Sequence, residues 1–134
     1  MSVDRIFLDA NILFSVAYGS PSLAQFWALA EKGLCVLIAS RYVIDEAKRN
    51  LYEPDQLSNL ETCLPNLEIV LEADPTIACP VDLPSKDKPV LMAAISAKAD
   101  YLITGDMTHF GKYFGKKISG VKICRARDYL QSTL

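Results

Sequence analysis

The chain has 134 residues, of which 51% are hydrophobic and 22% are charged, with a formal net charge of −2. This length suits one domain, which we place over residues 1–134, and the hydrophobic content is enough for a full core and argues against disorder. Because the sequence has neither a basic leader with an apolar run nor about 18 consecutive apolar residues, we expect no signal peptide and no membrane-spanning segment.

Short apolar runs alternate with helical patterns along the chain. Strands are predicted over residues 5–9, 34–39, 67–71, 100–104 and 120–124. Helices are predicted over residues 21–32, from 40 to about 51, from 54 to just before 65 and over 88–99, with a final helical turn at the end. This alternation predicts an α/β fold with a parallel sheet that is covered on both faces.

Two segments between the first and fourth strands carry further signals. Ser20 and Pro21 are typical of a helix start, and Gly33 of a helix end. The apolar residues of this helix are expected to pack against the sheet or a partner subunit: Leu23, Phe26, Trp27 and Ala30. Residues 73–86 contain three prolines and little periodicity, which fits either a flap beside a site or a rigid linker.

The distribution of charged residues and cysteines indicates which ligands the protein could bind. Residues 51–82 contain seven acids and no Lys or Arg, whereas residues 107–127 contain six bases and no acid. The basic tract, interleaved with Tyr113 and Phe114, is either a contact surface for a phosphate backbone or a solvated surface. The four cysteines form no CxxC pair and only one histidine is present, so a Cys/His zinc site is not indicated. Free thiols fit a reducing compartment, and we expect a cytoplasmic protein.

Acidic residues are predicted to meet at the carboxyl edge of the sheet. Asp9 ends the first strand and Asp106 follows the fourth, although either could serve only as a turn or cap residue. At roughly 100° per residue, Glu46 falls about 60° from Val43, on the rim of the apolar face of its helix. Asp87 precedes the helix that leads into the fourth strand, so it reaches the same edge or simply caps that helix.

Four carboxylates at one edge would repel one another unless their pKa values were shifted or a cation were bound. Oxygen ligands favour Mg²⁺ or Mn²⁺. Such an ion orients a phosphodiester and activates water for attack. His109, three residues after Asp106, could contact the substrate or the metal, or be an ordinary, partly exposed histidine.

The segments "LDANILFS", "RYVIDEAKRNL" and "SKDKPVLMAAISAKADYLITGD" together resemble the PIN-domain family, and the likeness covers nearly the whole chain in order. The resemblance implies a three-layer α/β/α fold with a five-stranded parallel sheet and Mg²⁺- or Mn²⁺-dependent cleavage of RNA. It further implies catalytic metal ligands at Asp9, Glu46, Asp87 and Asp106, with Asn11 and Thr104 supporting them.

Family members of this size resemble the VapC-type toxins of toxin–antitoxin operons, which implies a small antitoxin partner that blocks the acidic site and a homodimer. Lys86 and Lys88, which flank Asp87, depart from many members and could neutralise the acids or grip RNA. The candidate RNA contacts are Lys86, Lys88, Lys112, Lys116 and Lys117.

Three other functions are alternatives to the ribonuclease. A PIN-like module could bind RNA or a protein without cutting. A phosphoacceptor signalling domain needs an acid pair after the first strand, where only Asp9 is found. A phosphatase with a DxD motif is excluded because residue 11 is Asn.

Overall fold

A central β-sheet organises the protein, for which a computed structural model describes residues 3–133. In that range the strands are β1 (Asp4–Leu8), β2 (Cys35–Ser40), β3 (Glu68–Val70), β4 (Tyr101–Ile103), β5 (Lys117–Ile118) and β6 (Val121–Cys124). They form one sheet in the order β3-β2-β1-β4-β6-β5, and every neighbouring pair is parallel except β5 with β6. The predicted α/β fold with a mostly parallel sheet is therefore confirmed.

All five predicted parallel strands are present, and the sheet has one further short strand that was not predicted. β5 pairs antiparallel with β6, and Ser119 and Gly120 connect them with φ angles of 49° and 90°. Two successive positive φ values are the signature of the tight hairpin turn that matches the twist of the flanking strands. A strand of two residues is too short to show an alternating pattern, so it cannot be recognised from the sequence.

Helices cover both faces of the sheet. Within residues 3–133 they are α1 (Ala10–Ala17), α2 (Pro21–Glu31), α3 (Arg41–Arg49), α4 (Pro54–Cys63), α5 (Lys88–Ser96), α6 (Met107–Phe110) and α7 (Ala126–Thr133). In β1 the consecutive residues Ile6, Phe7 and Leu8 are all fully buried. Because consecutive strand residues point to opposite faces, this burial requires layers on both sides.

The helix predicted after Ser20 is present as α2 and packs through its aromatic pair. Phe26 and Trp27 are buried, as expected, whereas Leu23 and Ala30 are half-buried. The indole Nε1 of Trp27 donates to the carbonyl of Cys63 at 3.1 Å, which ties α2 to the end of α4.

The proline-containing loop before α5 is held in place near its end. The hydroxyl of Tyr113 donates to the carbonyl of Asp82, and that of Tyr42 donates to the carbonyl of Lys86, both at 2.7 Å. Leu83 between them is buried. These contacts favour the rigid linker over the flap and fix the approach to Asp87. None of the helices in residues 3–133 has the length and apolar character needed to cross a membrane.

Candidate metal-binding site

A pocket of about 850 Å³ opens at the carboxyl edge of the sheet. The acids predicted to meet there all line it: Asp9, Glu46, Asp87 and Asp106. They come from four different places, namely the ends of β1 and β4, the middle of α3 and the start of α5. The parallel sheet brings them together because the chain leaves neighbouring strands at the same edge.

Asp9 is the most deeply placed acid, with only 4% of its surface exposed. It is the N-cap of α1, and its Oδ1 accepts from the backbone N–H of Ala10 at 2.7 Å. Burial raises the pKa of Asp9 to about 6, an effect that Glu46 and Asp87 reinforce and that hydrogen bonds from Thr104 and Ala10 oppose. Asp9 therefore both caps α1 and lines the pocket.

Asn11 and Thr104 link Asp9 to the opposite side of the pocket. The Thr104 hydroxyl donates to Asp9 Oδ2 at 2.8 Å, and the Asn11 amide nitrogen lies 3.3 Å from the same oxygen. Asn11 Oδ1 accepts from the backbone of Gly105 at 2.8 Å, and Thr104 Oγ1 accepts from the backbone of Asp106 at 3.1 Å. The two polar side chains thus connect the end of β1 to the turn after β4.

Glu46 lies where the helical angle predicted, on the rim of α3. It is half-buried, whereas its neighbour Asp45 is exposed and Val43 is fully buried. Asn50 donates from its side chain to the Glu46 backbone carbonyl at 3.0 Å, one turn further along. Glu46 also lines the acidic pocket, and its charge contributes to the raised pKa of Asp9.

Asp87 occupies the N-cap position of α5 but does not cap the helix with its side chain. The second residue of α5 is Pro89, which has no N–H to offer, and the N–H of Val90 is taken by the Asp87 backbone carbonyl at 3.1 Å. Asp87 is 8% exposed, and its Oδ2 has no hydrogen-bond partner. Burial raises its pKa, Asp106 adds to the rise, and His109 and Lys86 oppose it.

His109 completes a tight group with two of the acids. Its Nδ1 lies 2.8 Å from Asp87 Oδ2 and 3.0 Å from Asp106 Oδ2, although neither contact has the alignment of a directed hydrogen bond. One ligand atom from each of the three residues lies within 4.8 Å of the other two. Asp9 and Glu46 line one pocket with Asp87 and Asp106 but lie outside this tight group, whereas His109 lines the neighbouring depression behind these two acids.

This arrangement fits a divalent cation. A buried carboxylate oxygen without a donor is costly unless a positive charge compensates it. Asp87 presents such an oxygen toward Asp106. Divalent first-row transition metals bind both carboxylate oxygens and imidazole nitrogens. Mg²⁺ binds mainly the oxygens.

The candidate RNA-binding lysines are spread over the surface around the pocket. Lys86 lines it, whereas Lys88 lines a neighbouring cavity beside β3. Lys112 shares a third depression with His109 and lies 4.0 Å from Asp82. Lys116 and Lys117 lie just before and in β5, at the far edge of the sheet. The structure therefore brings one of the five lysines directly to the acids.

Two tyrosines at the rim were not anticipated from the sequence. Tyr18 is 54% exposed and Tyr52 is 81% exposed, and both line the acidic pocket. Phe14 supports Tyr18 at a ring-centroid distance of 4.6 Å. Large exposed aromatic side chains beside a pocket favour a binding role. The only local signal was their place just after the ends of α1 and α3, the helices that carry Asn11 and Glu46.

Comparisons with known proteins identify a family model and a solved structure that are similar to this chain. The PIN domain family matches residues 5–108, a segment that contains all four acids and ends one residue before His109. A crystal structure of VapBC2 from Rickettsia felis bound to a DNA fragment from its promoter superposes with a TM-score of 0.63. That match has 17% sequence identity and covers 90% of this chain and 98% of the other. No curated protein sequence matches significantly.

The raised pKa of Asp9 predicts a specific pH dependence for the metal-free protein. Because the folded state binds this proton more tightly, the contribution to stability is fully present below the ordinary pKa of 3.8 and is lost as pH rises through about 6. The loss amounts to about 3 kcal/mol at about 1.4 kcal/mol per pKa unit. Urea unfolding in EDTA should show this fall between about pH 4 and pH 7 in wild type and a clearly smaller fall in Asp9→Asn, which keeps Asp87 and its raised pKa.

The matched control is Asp45→Asn, which removes an exposed acid from α3 and should leave the pH profile unchanged. If Asp9→Asn and wild type lose stability in parallel over this pH range, Asp9 does not carry the buried charge that we assign to it.

Proposed function

The chain belongs to the PIN-domain family, and on that basis we propose that it is a divalent-metal-dependent endoribonuclease. The observation that carries the proposal is the buried Asp87 carboxylate, whose Oδ2 lies close to His109 and has no well-aligned donor, in the pocket that Asp9, Glu46 and Asp106 also line. An acidic group of this kind is poorly suited to the interior of a protein that never binds a cation.

Each acid has a role in this proposal. Asp9, Glu46, Asp87 and Asp106 hold Mg²⁺ or Mn²⁺, which when bound lowers the pKa of an attacking water and stabilises the leaving oxygen of a phosphodiester. Thr104 and Asn11 position Asp9 through the hydrogen bonds described above. They also anchor the turn that carries Asp106.

The residues at the rim of the pocket are suited to binding a single-stranded RNA substrate. Bases that are not paired can stack on aromatic side chains, and such stacking needs exposed rings beside the reacting phosphate. Tyr18 and Tyr52 provide two exposed rings on the same pocket as the acids. Lys86 and Asn50 add a positive charge and an amide that suit a phosphate backbone.

We further propose that the protein is the toxin of a type II toxin–antitoxin pair, working in the cytoplasm as one domain over residues 1–134. The fold shared with the VapBC2 structure supports this assignment. A small antitoxin would then control the enzyme by covering the acidic pocket, and a homodimer would be its assembly state.

Cleavage should depend on both the acids and the cation. Wild type should cut an RNA oligonucleotide with Mg²⁺ or Mn²⁺ and stop in EDTA, because the cation and not a side chain supplies the nucleophile. Asp9→Asn should lose cleavage by at least about a hundredfold while remaining folded, since it removes one ligand charge. Gel analysis of labelled RNA and a matching DNA oligonucleotide measures both outcomes and the preference for RNA.

Equal cleavage by wild type with and without EDTA would contradict the metal-dependent mechanism. If wild type binds the RNA tightly and never cuts it with either cation, the non-cutting PIN-like binding module is the better description.

Tyr52 should contribute to binding a single strand. Tyr52→Ala removes the exposed ring and should weaken binding of single-stranded RNA about tenfold, whereas Tyr52→Phe keeps the stacking surface and should bind like wild type. Fluorescence anisotropy in EDTA measures binding without cleavage. Leu71→Ala is the control, because Leu71 is 88% exposed but does not line the pocket. Unchanged affinity in Tyr52→Ala would show that the Tyr52 ring does not contribute to RNA binding.

A further inference from the structure

The position of His109 is unusual for a histidine that simply accompanies acids. Its Nδ1 approaches one oxygen of Asp87 to 2.8 Å and one oxygen of Asp106 to 3.0 Å. These are hydrogen-bond distances, yet the ring nitrogen and Asp87 Oδ2 both remain buried without a properly aligned partner. Close approach without alignment is the pattern expected of atoms that are arranged around a shared third partner.

The local structure fixes this position. Asp106 is the N-cap of α6, and its Oδ1 accepts from the backbone N–H of His109 at 3.0 Å. The i,i+3 spacing places the imidazole on the same side of the short helix as the Asp106 carboxylate. Phe110, the next residue, is fully buried and anchors the end of α6. His109 therefore lies against the Asp87 and Asp106 carboxylates, beside the acidic pocket, because of the same cap that positions Asp106.

The two distances from His109 Nδ1 are compatible with ligands that share one ion. For metal–ligand distances of about 2.1 Å, neighbouring ligands in an octahedron lie about 3 Å apart. The two distances from His109 Nδ1 agree with this value. Two ligands side by side around an ion also do not point at each other, which accounts for the lack of alignment.

We propose that His109 is a direct nitrogen ligand of the ion in this pocket and that it makes the site prefer Mn²⁺ and related transition-metal ions over Mg²⁺. The proposal rests on the metal-dependent function proposed above and specifies its ion. An imidazole nitrogen binds first-row transition metals well, whereas Mg²⁺ strongly prefers oxygen. A site of carboxylates alone would lack this preference.

The chain offers an unambiguous test, because His109 is its only histidine. Mn²⁺ is added to the full-length protein, prepared without a histidine tag, and pulsed electron paramagnetic resonance is used to detect nitrogen coupling to the ion. Coupling of the imidazole type can then come from His109 alone. We expect this coupling in wild type and its absence in His109→Gln, whose amide oxygen still suits an oxygen-preferring ion.

Affinity measurements supply the second readout. Calorimetric titration should show Mn²⁺ affinity falling at least about tenfold in His109→Gln, while Mg²⁺ affinity changes by less than about threefold. Met107→Ala, on the exposed side of the same short helix, is the matched control and should bind both ions like wild type. The spectrum of wild type alone decides the proposal if a variant fails to fold.

Three results would overturn the proposal. The first is Mn²⁺ bound to wild type without imidazole coupling. The second is tighter Mn²⁺ binding in His109→Gln, which would mean that His109 occupies the place of the ion instead of holding it. The third is an equal loss of both ions, which would indicate a structural role. A nitrogen-ligated Mn²⁺ in a protein that cuts no RNA would retain this inference and refute the proposed function.

Discussion

The hydrogen bond from the Thr104 hydroxyl to the Asp9 carboxylate joins the ends of the two central strands, β1 and β4. It lies in the fully buried part of the sheet edge, where Thr104 has no exposed surface. Asn11 reinforces it from the first turn of α1 and also binds the backbone of Gly105. The positions of Asp9 and Asp106 relative to each other follow from this link.

The remaining acids are arranged around that link at a cost in stability. Burial raises the pKa values of both Asp9 and Asp87, which means that their ionised forms are disfavoured in the folded, metal-free protein. A hydrogen bond from the first turn of α5 would stabilise the ionised Asp87 side chain, but Pro89 in that turn has no N–H to donate. A protein that keeps such groups at a pocket sacrifices stability for function, as active sites commonly do. A bound cation would restore the lost stability through linkage, because it binds only the folded arrangement.

Much of this arrangement could be predicted from sequence because parallel strands bring chain exits to one edge. Apolar runs identified β1, β2, β3, β4 and β6, and the helical angle placed Glu46 on the rim of α3. Helix α1 was missed because "ANILFSVA" continues the apolar run of β1 without a turn residue, and only the Asp9 cap marks its start. His109 could not be placed because its contact with Asp87 spans distant parts of the chain. The one local indication was the spacing in "DMTH", which puts His109 three residues after Asp106, the N-cap of α6.

The account depends on the acidic edge being a cation site, and the most direct test is a crystal of the full chain soaked in Mn²⁺. Anomalous scattering locates the ion without reference to activity or substrate. We predict a peak in the pocket within about 2.3 Å of carboxylate oxygens from Asp87 and Asp106. A crystal with no peak in this pocket at saturating Mn²⁺, or with ions only on the acidic surface of residues 51–82, would contradict the account.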